Sequence, residues 1–547
     1  MSQEVVAVVS GRSVVATGGD LVAQSLVQCG VTHTFGVPGE QWLGILDAIG
    51  RRHDLRFVSA RHEGGAANMA EAFGKLAGRP AAVFGTAGVG AAHLAVGVHT
   101  ARQDSTPLVA VIGQVRTGFR DREAWQEIDV AAVFGPMAKH TVEIRESGRI
   151  PELVQRAVDI AVSGRPGPVV IAVPENLQSA PCTARGRERT VVCSPGLSGH
   201  VADDVAASIA RAHRPVVVAG GGVRMSGARD ELVAFAERTG LPVVLGWRRS
   251  DSFPQDHPSY AGQLGLGALP VALETVLAAD LLIVVGSRLP QVTTSGYRFP
   301  ADGQEVVHVD IAQESLVNQP FRARTAAVAD AGAALRELTA RAGAIGAGAR
   351  AWARERCSAH REQQAADRTG RSDPGAATLV DVARRLDELL PDDGVVTCDA
   401  GDFSGPFAVH LRFRAERRFL GPTSGCMGYG LAAAIGAKSA EPGRPVVALC
   451  GDGGFMMGVQ ELETAVRYGL PVVAVVCNNN MHGSIARHQR TSYDGRLFGT
   501  QLGNPSFPDL ARAFGANGFS VGDAEEFGTA LQKALDSDVP SVIEVRM

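Results

Sequence analysis

Short apolar runs rich in Val, Ile and Leu recur along most of the chain, alternating with longer Ala- and Leu-rich stretches of helical spacing. A continuous apolar run marks a strand covered on both faces, and strands alternating with helices mark a parallel sheet. In residues 1–185 the expected strands are Thr32–Phe35, Arg56–Ser59, Ala81–Phe84, Leu108–Ile112 and Val169–Val173. A polar stretch through Pro181, Arg185–Arg189 and Ser194–Gly199 follows. The second block, 190–345, starts with a helix. It continues with a strand from Arg214 into the turn Gly220-Gly-Gly222, then Pro242–Leu245, Leu281–Val285 and Val306–Val309, the last running into Asp310. Residues 343–373 read as a partly helical linker ending at Ser372-Asp373-Pro374-Gly375. The third block, 372–547, opens on a helix through Leu379–Leu390 and predicts strands Gly394–Cys398, Val446–Leu449, Val472–Cys477 and Ser541–Val545. The expectation is an α/β protein of three successive doubly wound parallel-sheet domains, bounded at 1–185, 190–345 and 372–547.

Composition narrows the function classes. The 547 residues are 45% hydrophobic and 20% charged, with a net charge of only -4 spread along the chain. That balance points to a globular protein and away from nucleic-acid or membrane-surface partners. The eight cysteines form no CxxC pair and read as reduced thiols. The N-terminus, MSQEVVAVVSGRS, carries Glu4 and no long apolar core, and no run reaches the roughly 20 apolar residues of a membrane helix. A cytoplasmic location is therefore expected.

Candidate chemistry is densest in the third block. Arg444-Pro-Val-Val-Ala-Leu-Cys-Gly-Asp-Gly-Gly-Phe predicts a buried strand that runs into Gly451-Asp452-Gly453-Gly454. A helix is expected from about Met456 to Tyr468, then a strand ending at Asn478-Asn479-Asn480. Asp452 and Asn479 thus sit at carboxyl ends of strands, where open α/β sheets bind ligands. Glycines there let backbone amides approach an anion. A carboxylate and an amide oxygen are hard ligands suited to Mg²⁺ beside phosphate oxygens.

A GDG followed, one helix and one strand later, by NN resembles the fingerprint of the thiamine-diphosphate enzyme superfamily. The resemblance implies thiamine diphosphate and Mg²⁺ as cofactors. It implies Asp452, Asn479 and the main-chain oxygen of Met481 as metal ligands, with Gly453 and Gly454 against the diphosphate. It also implies that the turn Asp399-Ala-Gly-Asp-Phe-Ser brings Gly401, Asp402 and Phe403 to the diphosphate. Thr423-Ser-Gly-Cys-Met-Gly-Tyr-Gly resembles the segment supporting the bent cofactor, with Met427 wedged between its two rings. In these terms the three domains are pyrimidine-binding, central and diphosphate-binding.

Activating this cofactor needs a carboxylic acid on the aminopyrimidine, in a largely apolar pocket where desolvation favours the protonated form. Glu63, in Arg61-His-Glu-Gly-Gly-Ala-Ala-Asn-Met-Ala, fits that need and lies between a strand and an Ala-rich helix. Glu71 on the same helix reads as structural.

Over nearly its full length the chain is similar to acetolactate-synthase-like proteins. Matching segments include Phe35-Gly-Val-Pro-Gly, Gln103-Asp-Ser-Thr-Pro-Leu-Val and Ala124-Trp-Gln-Glu-Ile-Asp. The resemblance implies Gln114 in the substrate pocket, Lys139 near its entrance, and a homodimer or homotetramer. The implied reaction decarboxylates a 2-keto acid and passes the acyl carbanion equivalent to a carbonyl acceptor. The alternatives are a non-ligating 2-keto acid decarboxylase and a non-catalytic cofactor-binding homologue.

Three departures bear on substrate. Where relatives carry Gly-Pro-Gly-Ala-Thr-Asn, this chain has Ala87-Gly-Val-Gly-Ala-Ala-His93. That places a group titrating near neutrality at the cofactor's edge, so His93 is a candidate catalytic or substrate-selecting residue. Asn480-Met-His482-Gly replaces Asn-Gly-Met-Tyr-Gly, with His488 about two turns on. In the central block Gly220-Gly-Gly222 and Gly286-Ser-Arg288 could touch a dinucleotide, but the Arg-Phe-Asp-Asp pattern of FAD-binding relatives is missing after Gly286. FAD is left as an open alternative.

Overall fold

The computed structural model describes residues 6–9, 12–182, 192–367 and 378–547. Arg185–Arg189 and Ser372–Gly375, expected in the connections, lie outside the described residues. Three six-stranded sheets, each parallel throughout, carry the fold, with helices between successive strands. A two-stranded antiparallel ribbon, Val6–Val9 with Arg12–Val15, precedes them.

In chain order the N-terminal sheet is built from His33–Gly36, Arg56–Ser59, Ala81–Gly85, Leu108–Gln114, His140–Glu143 and Pro168–Pro174. Its spatial order is second-first-third-fourth-sixth-fifth. The C-terminal sheet uses Val395–Cys398, Arg418–Leu420, Val446–Gly451, Val473–Asn478, Asn517–Val521 and Ser541–Arg546 in the same order. The central sheet differs. Pro215–Ala219, Val243–Leu245, Tyr260–Gln263, Leu281–Val285, Glu305–Asp310 and Thr325–Val328 are ordered third-second-first-fourth-fifth-sixth, the order of dinucleotide-binding folds.

Every strand expected from an apolar run is present. The strands not foreseen in these sheets are His140–Glu143, Tyr260–Gln263, Thr325–Val328, Arg418–Leu420 and Asn517–Val521, and each is an edge. Four of these are incompletely covered; His140–Glu143 is half-buried along its length and Thr325–Val328 alternates between half-buried and exposed, so they need no apolar run. Tyr260–Gln263 is buried throughout, but Gly262 and Gln263 break its apolar run.

The N- and C-terminal domains pack through two Ala-rich helices, Glu63–Ala77 and Gly430–Ala440. Small residues allow close approach: a Cβ on Gly436 would stand 2.1 Å from the Met69 carbonyl oxygen. Their buried alanines belong to one apolar core continuous across both sheets. Among the described residues no helix is long and apolar enough to cross a membrane.

Candidate active site

In the C-terminal sheet, Val395–Cys398 and Val446–Gly451 are neighbours whose onward strands lie on opposite sides. Loops leaving such a switch point diverge and open a crevice. Here the crevice is a cavity of about 590 Å³. All the C-terminal positions expected to hold cofactor or metal line it: Gly401, Asp402, Phe403, Met427, Asp452, Gly453, Gly454, Asn479 and Met481. His482 lines it too.

Asp452 is nearly buried and begins a helix, Asp452–Gly458, that stops before a second, Glu461–Arg467. The single helix expected over Met456–Tyr468 is therefore two, joined through Val459-Gln460. The Asp452 carboxylate accepts from the Gly453 amide at 2.9 Å and the Met481 amide at 3.2 Å. Asn479 Oδ1 accepts from the Met481 amide at 3.1 Å. The hard oxygens of Asp452 and Asn479 thus converge on the Met481 turn, a donor set that fits Mg²⁺.

Asn504 went unnoticed in the sequence. Its Nδ2 lies 2.9 Å from Asp452 Oδ2 and Asn478 Oδ1 and 3.2 Å from Asn480 Oδ1, so one amide gathers the carboxylate and the asparagine turn. Nothing in Leu502-Gly-Asn-Pro sets it apart from an ordinary loop asparagine.

The glycines are needed here. A Cβ on Gly454 would meet Asp399 Oδ2 at 2.4 Å, and one on Gly453 would meet the His482 ring at 2.9 Å. Asp399 is fully buried beneath this turn; Oδ1 accepts from the Gly430 amide at 2.7 Å while Oδ2 has no hydrogen-bond partner among the described residues. Burial pushes its pKa up to about 6. Asp402 instead faces the helix Gly483–Ser492. Arg487 grips its carboxylate at 2.6 and 3.0 Å and holds it below the usual carboxylate range.

The N-terminal domain presents different chemistry. Glu63 is the first residue of its helix, capped by His62, whose Nδ1 accepts from the Gly64 amide at 3.0 Å. The amides of Arg61 and His62 donate to Glu461 of the C-terminal domain at 3.2 and 3.0 Å, fixing the helix start against that domain. Glu63 Oε2 lies 2.9 Å from His93 Nδ1. His93 rides on the helix Gly88–Asp104, half exposed, its ring 4.4 Å from that of His62.

Gln114 ends its strand fully buried, its amide donating to the Ile128 carbonyl at 2.8 Å and accepting from Val115. It lines neither the C-terminal cavity nor the central one. Lys139, expected near a pocket entrance, instead caps the end of the helix Ile150–Val162 by donating to the Ile160 and Ser163 carbonyls. Burial, with Arg102 and Arg165 nearby, lowers its pKa to about 8.

Within one chain Glu63 and the C-terminal cavity stay apart. Every residue lining that cavity falls in 379–547. Exposed apolar side chains flank both halves: Val89 and Val96 around His93, Met457 and Ile485 around the cavity.

A second cavity, of about 440 Å³, opens where the central sheet faces the N-terminal domain. Both glycine turns singled out in the sequence, Gly220–Gly222 and Gly286–Arg288, line it, with Asp310, Arg165 and Arg249. Burial and neighbouring guanidinium groups lower the pKa of Arg288 and bring that of Arg165 to about 9, so the cavity wall crowds cations together.

Comparison with known proteins matches this layout domain by domain. The description "Thiamine pyrophosphate enzyme, N-terminal TPP binding domain" matches residues 16–133, the corresponding central domain 202–338, and the C-terminal TPP binding domain 399–545. The chain is 32% identical to a probable acetolactate synthase large subunit of Methanocaldococcus jannaschii, over 96% of this chain and 91% of that protein. The chain belongs to the thiamine pyrophosphate enzyme family. The large subunit of acetolactate synthase isozyme 2 of Escherichia coli (strain K12) is also 32% identical, over 96% of this chain and 95% of the relative. A putative thiamine pyrophosphate-containing protein of Bacillus subtilis (strain 168) is 31% identical over 97% of this chain. As a thiamine pyrophosphate enzyme of the acetolactate-synthase-like kind, the protein carries its two TPP-binding domains at the chain's ends and a central domain between them.

Proposed function

We propose that the protein decarboxylates a 2-keto acid and transfers the resulting acyl carbanion equivalent to a carbonyl acceptor. One observation carries the reading: hard-oxygen ligands, the glycine turn and Met427 converge on a single cavity at the switch point of the C-terminal sheet. Asp452, Asn479 and the Met481 carbonyl would hold Mg²⁺, and Gly401–Phe403 with Gly453 and Gly454 would take the diphosphate. Thiamine diphosphate supplies an acidic carbon that becomes a nucleophile and then an electron sink. The protein's part is to bind, orient and move protons.

Glu63 is the group proposed to hold a proton at the pyrimidine. It lies outside the cavity of its own chain, so a second copy must bring its Glu63 to this cavity. The exposed Val89, Val96, Met457 and Ile485 support such an interface, and a homodimer is the smallest unit that completes a site.

A simple decarboxylase is the second reading. It needs a proton donor where the ligase needs an acceptor carbonyl. His93, in contact with Glu63, and His482, in the cavity wall, favour it. Gln114 would act only from behind the surface.

The central cavity has the dinucleotide-type strand order and crowded guanidinium groups suited to a phosphate-bearing ligand. FAD is the ligand suggested by likeness to acetolactate synthase; flavin absorbance that co-purifies with the protein tests it.

The deciding experiment supplies thiamine diphosphate, Mg²⁺ and pyruvate, with and without an acceptor aldehyde, and follows carbon dioxide and products. Ligated product, lost in Glu63→Gln, is expected. Carbon dioxide with only aldehyde product supports the decarboxylase, and no turnover across a panel of 2-keto acids overturns both.

A further inference from the structure

The segment Thr423–Tyr429 carries Met427 to the cofactor cavity and is held at both ends by the N-terminal domain. At its start, Asp104 Oδ1 accepts from the Thr423 hydroxyl at 2.9 Å and Oδ2 from the Thr423 amide at 3.1 Å. One residue on, the Ser424 hydroxyl lies 3.0 Å from that of Thr100. At its end, the Tyr429 hydroxyl donates to Glu71 Oε2 at 2.7 Å. Between these anchors Gly425 and Gly428 take φ of +72° and +74°, the left-handed conformation glycine allows, and frame Met427.

The two anchors are not independent. Lys75 Nζ lies 2.9 Å from Glu71 Oε1 and 3.0 Å from Asp104 Oδ2, so one ammonium group joins them. Glu71, Lys75, Asp104 and Tyr429 are all buried. Burial alone would raise the pKa of Asp104, but Lys75 and Arg249 reverse that and hold the carboxyl well below the usual range. Buried charges left unpaired are costly, so an arrangement of this kind has few alternative geometries. Arg249, 3.0 Å from Asp104 Oδ1, also lines the central cavity, so the fourth charge of the cluster faces that cavity.

We propose that Glu71, Lys75 and Asp104 form a positioning clamp in which Lys75 locks both ends of the Met427 segment, setting the shape of the cofactor pocket from the neighbouring domain. Glu71 is thereby a positioning residue. The clamp touches no reacting atom; it acts through Met427. The inference rests on reading the Met427 segment as cofactor support.

Removing Lys75 leaves two buried carboxylates and risks unfolding, so the test removes the hydroxyl contacts instead. Thr423→Val and Tyr429→Phe each delete one, and the double variant loosens both ends. Binding of thiamine diphosphate with Mg²⁺ is measured by calorimetry on wild type and variants, with thermal midpoints recorded in parallel. Each single variant should weaken cofactor binding roughly tenfold. At saturating cofactor, KM for the keto acid should stay within about twofold of wild type. Combination with Met427→Ala separates positioning from general stability. If the clamp acts through Met427, Thr423→Val should add less than about threefold in the Met427→Ala background. Unchanged cofactor affinity in the double variant, with only a lowered thermal midpoint, overturns the clamp. So does a full tenfold effect that persists without Met427. Failure of wild type itself to bind thiamine diphosphate would sink the proposed function instead.

Discussion

The N- and C-terminal sheets share one strand order yet offer opposite chemistry at equivalent places. After the third strand the C-terminal sheet turns into Gly451-Asp452-Gly453-Gly454, whereas the N-terminal sheet runs into the loop and helix bearing His93. At the fourth strand the C-terminal sheet ends in Asn478-Asn479, whereas the N-terminal one ends in a sequestered Gln114. The helices that follow the second strands, Glu63–Ala77 and Gly430–Ala440, pack on each other. Topology decides where loops diverge; the residues on those loops decide whether an anion and a metal or a single acid is presented. On the proposed function, one half would take the charged end of the cofactor and the other would supply one carboxylate, so that each chain would hold one half of each of two sites.

The sharpest way to break this division of labour is to disable each half separately. Glu63→Gln and Asp452→Ala should each reduce turnover by about 10²–10⁴-fold, Glu63→Gln through lost proton transfer and Asp452→Ala through lost cofactor anchoring. If each site draws one half from each of two chains, mixing the two inactive variants under exchange should restore roughly a quarter of wild-type activity, because mixed dimers carry one intact site. No recovery despite demonstrated subunit exchange would place both halves in one chain. A smaller effect tests how the C-terminal half is tuned: Asn504→Ala should weaken Mg²⁺ binding about 10–100-fold, as when an outer-shell partner of a metal ligand is lost. Unaltered Mg²⁺ affinity would reduce Asn504 to a loop fastener.

The same comparison shows what a sequence can convey. Central strands announce themselves because both faces are covered, and Val446–Gly451 or Leu281–Val285 can be written down from composition alone. The edge strand Thr325–Val328 cannot, because one side needs no apolar cover. Site residues divide similarly. Asp452 and Asn479 are legible since each follows its strand directly, and the strand-helix-strand unit fixes their separation. Asn504 is not, because it arrives from a loop with no periodicity. Nor is the pairing of Lys75 with Asp104, which depends on how two helices lie together. Nor is the role of Lys139, placed near a pocket entrance only by resemblance, because the helix end it caps is brought to it by the fold.

The His93 contact sharpens the N-terminal side. Asparagine removes the imidazole while keeping a donor. His93→Asn should lower decarboxylation several-fold. Cofactor affinity should barely change. Unchanged decarboxylation would leave His93 as a spacer beside Glu63.

The smallest expected effect concerns Asp399, the buried carboxyl beneath the glycine turn of the C-terminal half. Its folded-state pKa of about 6 lies above the ordinary 3.8, with burial the leading cause. A carboxyl so raised stabilises the fold fully only below the ordinary value, and that stability is lost as pH rises through 6. Above that range the folded chain carries an ionised, half-partnered carboxylate at a cost of up to about 3 kcal/mol. Asp399→Asn keeps an oxygen for the Gly430 amide and never ionises. Its thermal midpoint should therefore exceed wild type by a few degrees at pH 8, with the gap closing as pH falls toward 4. A constant gap across that range would mean that the carboxyl titrates in the fold as it does in the unfolded chain, its ionised oxygen having found a partner.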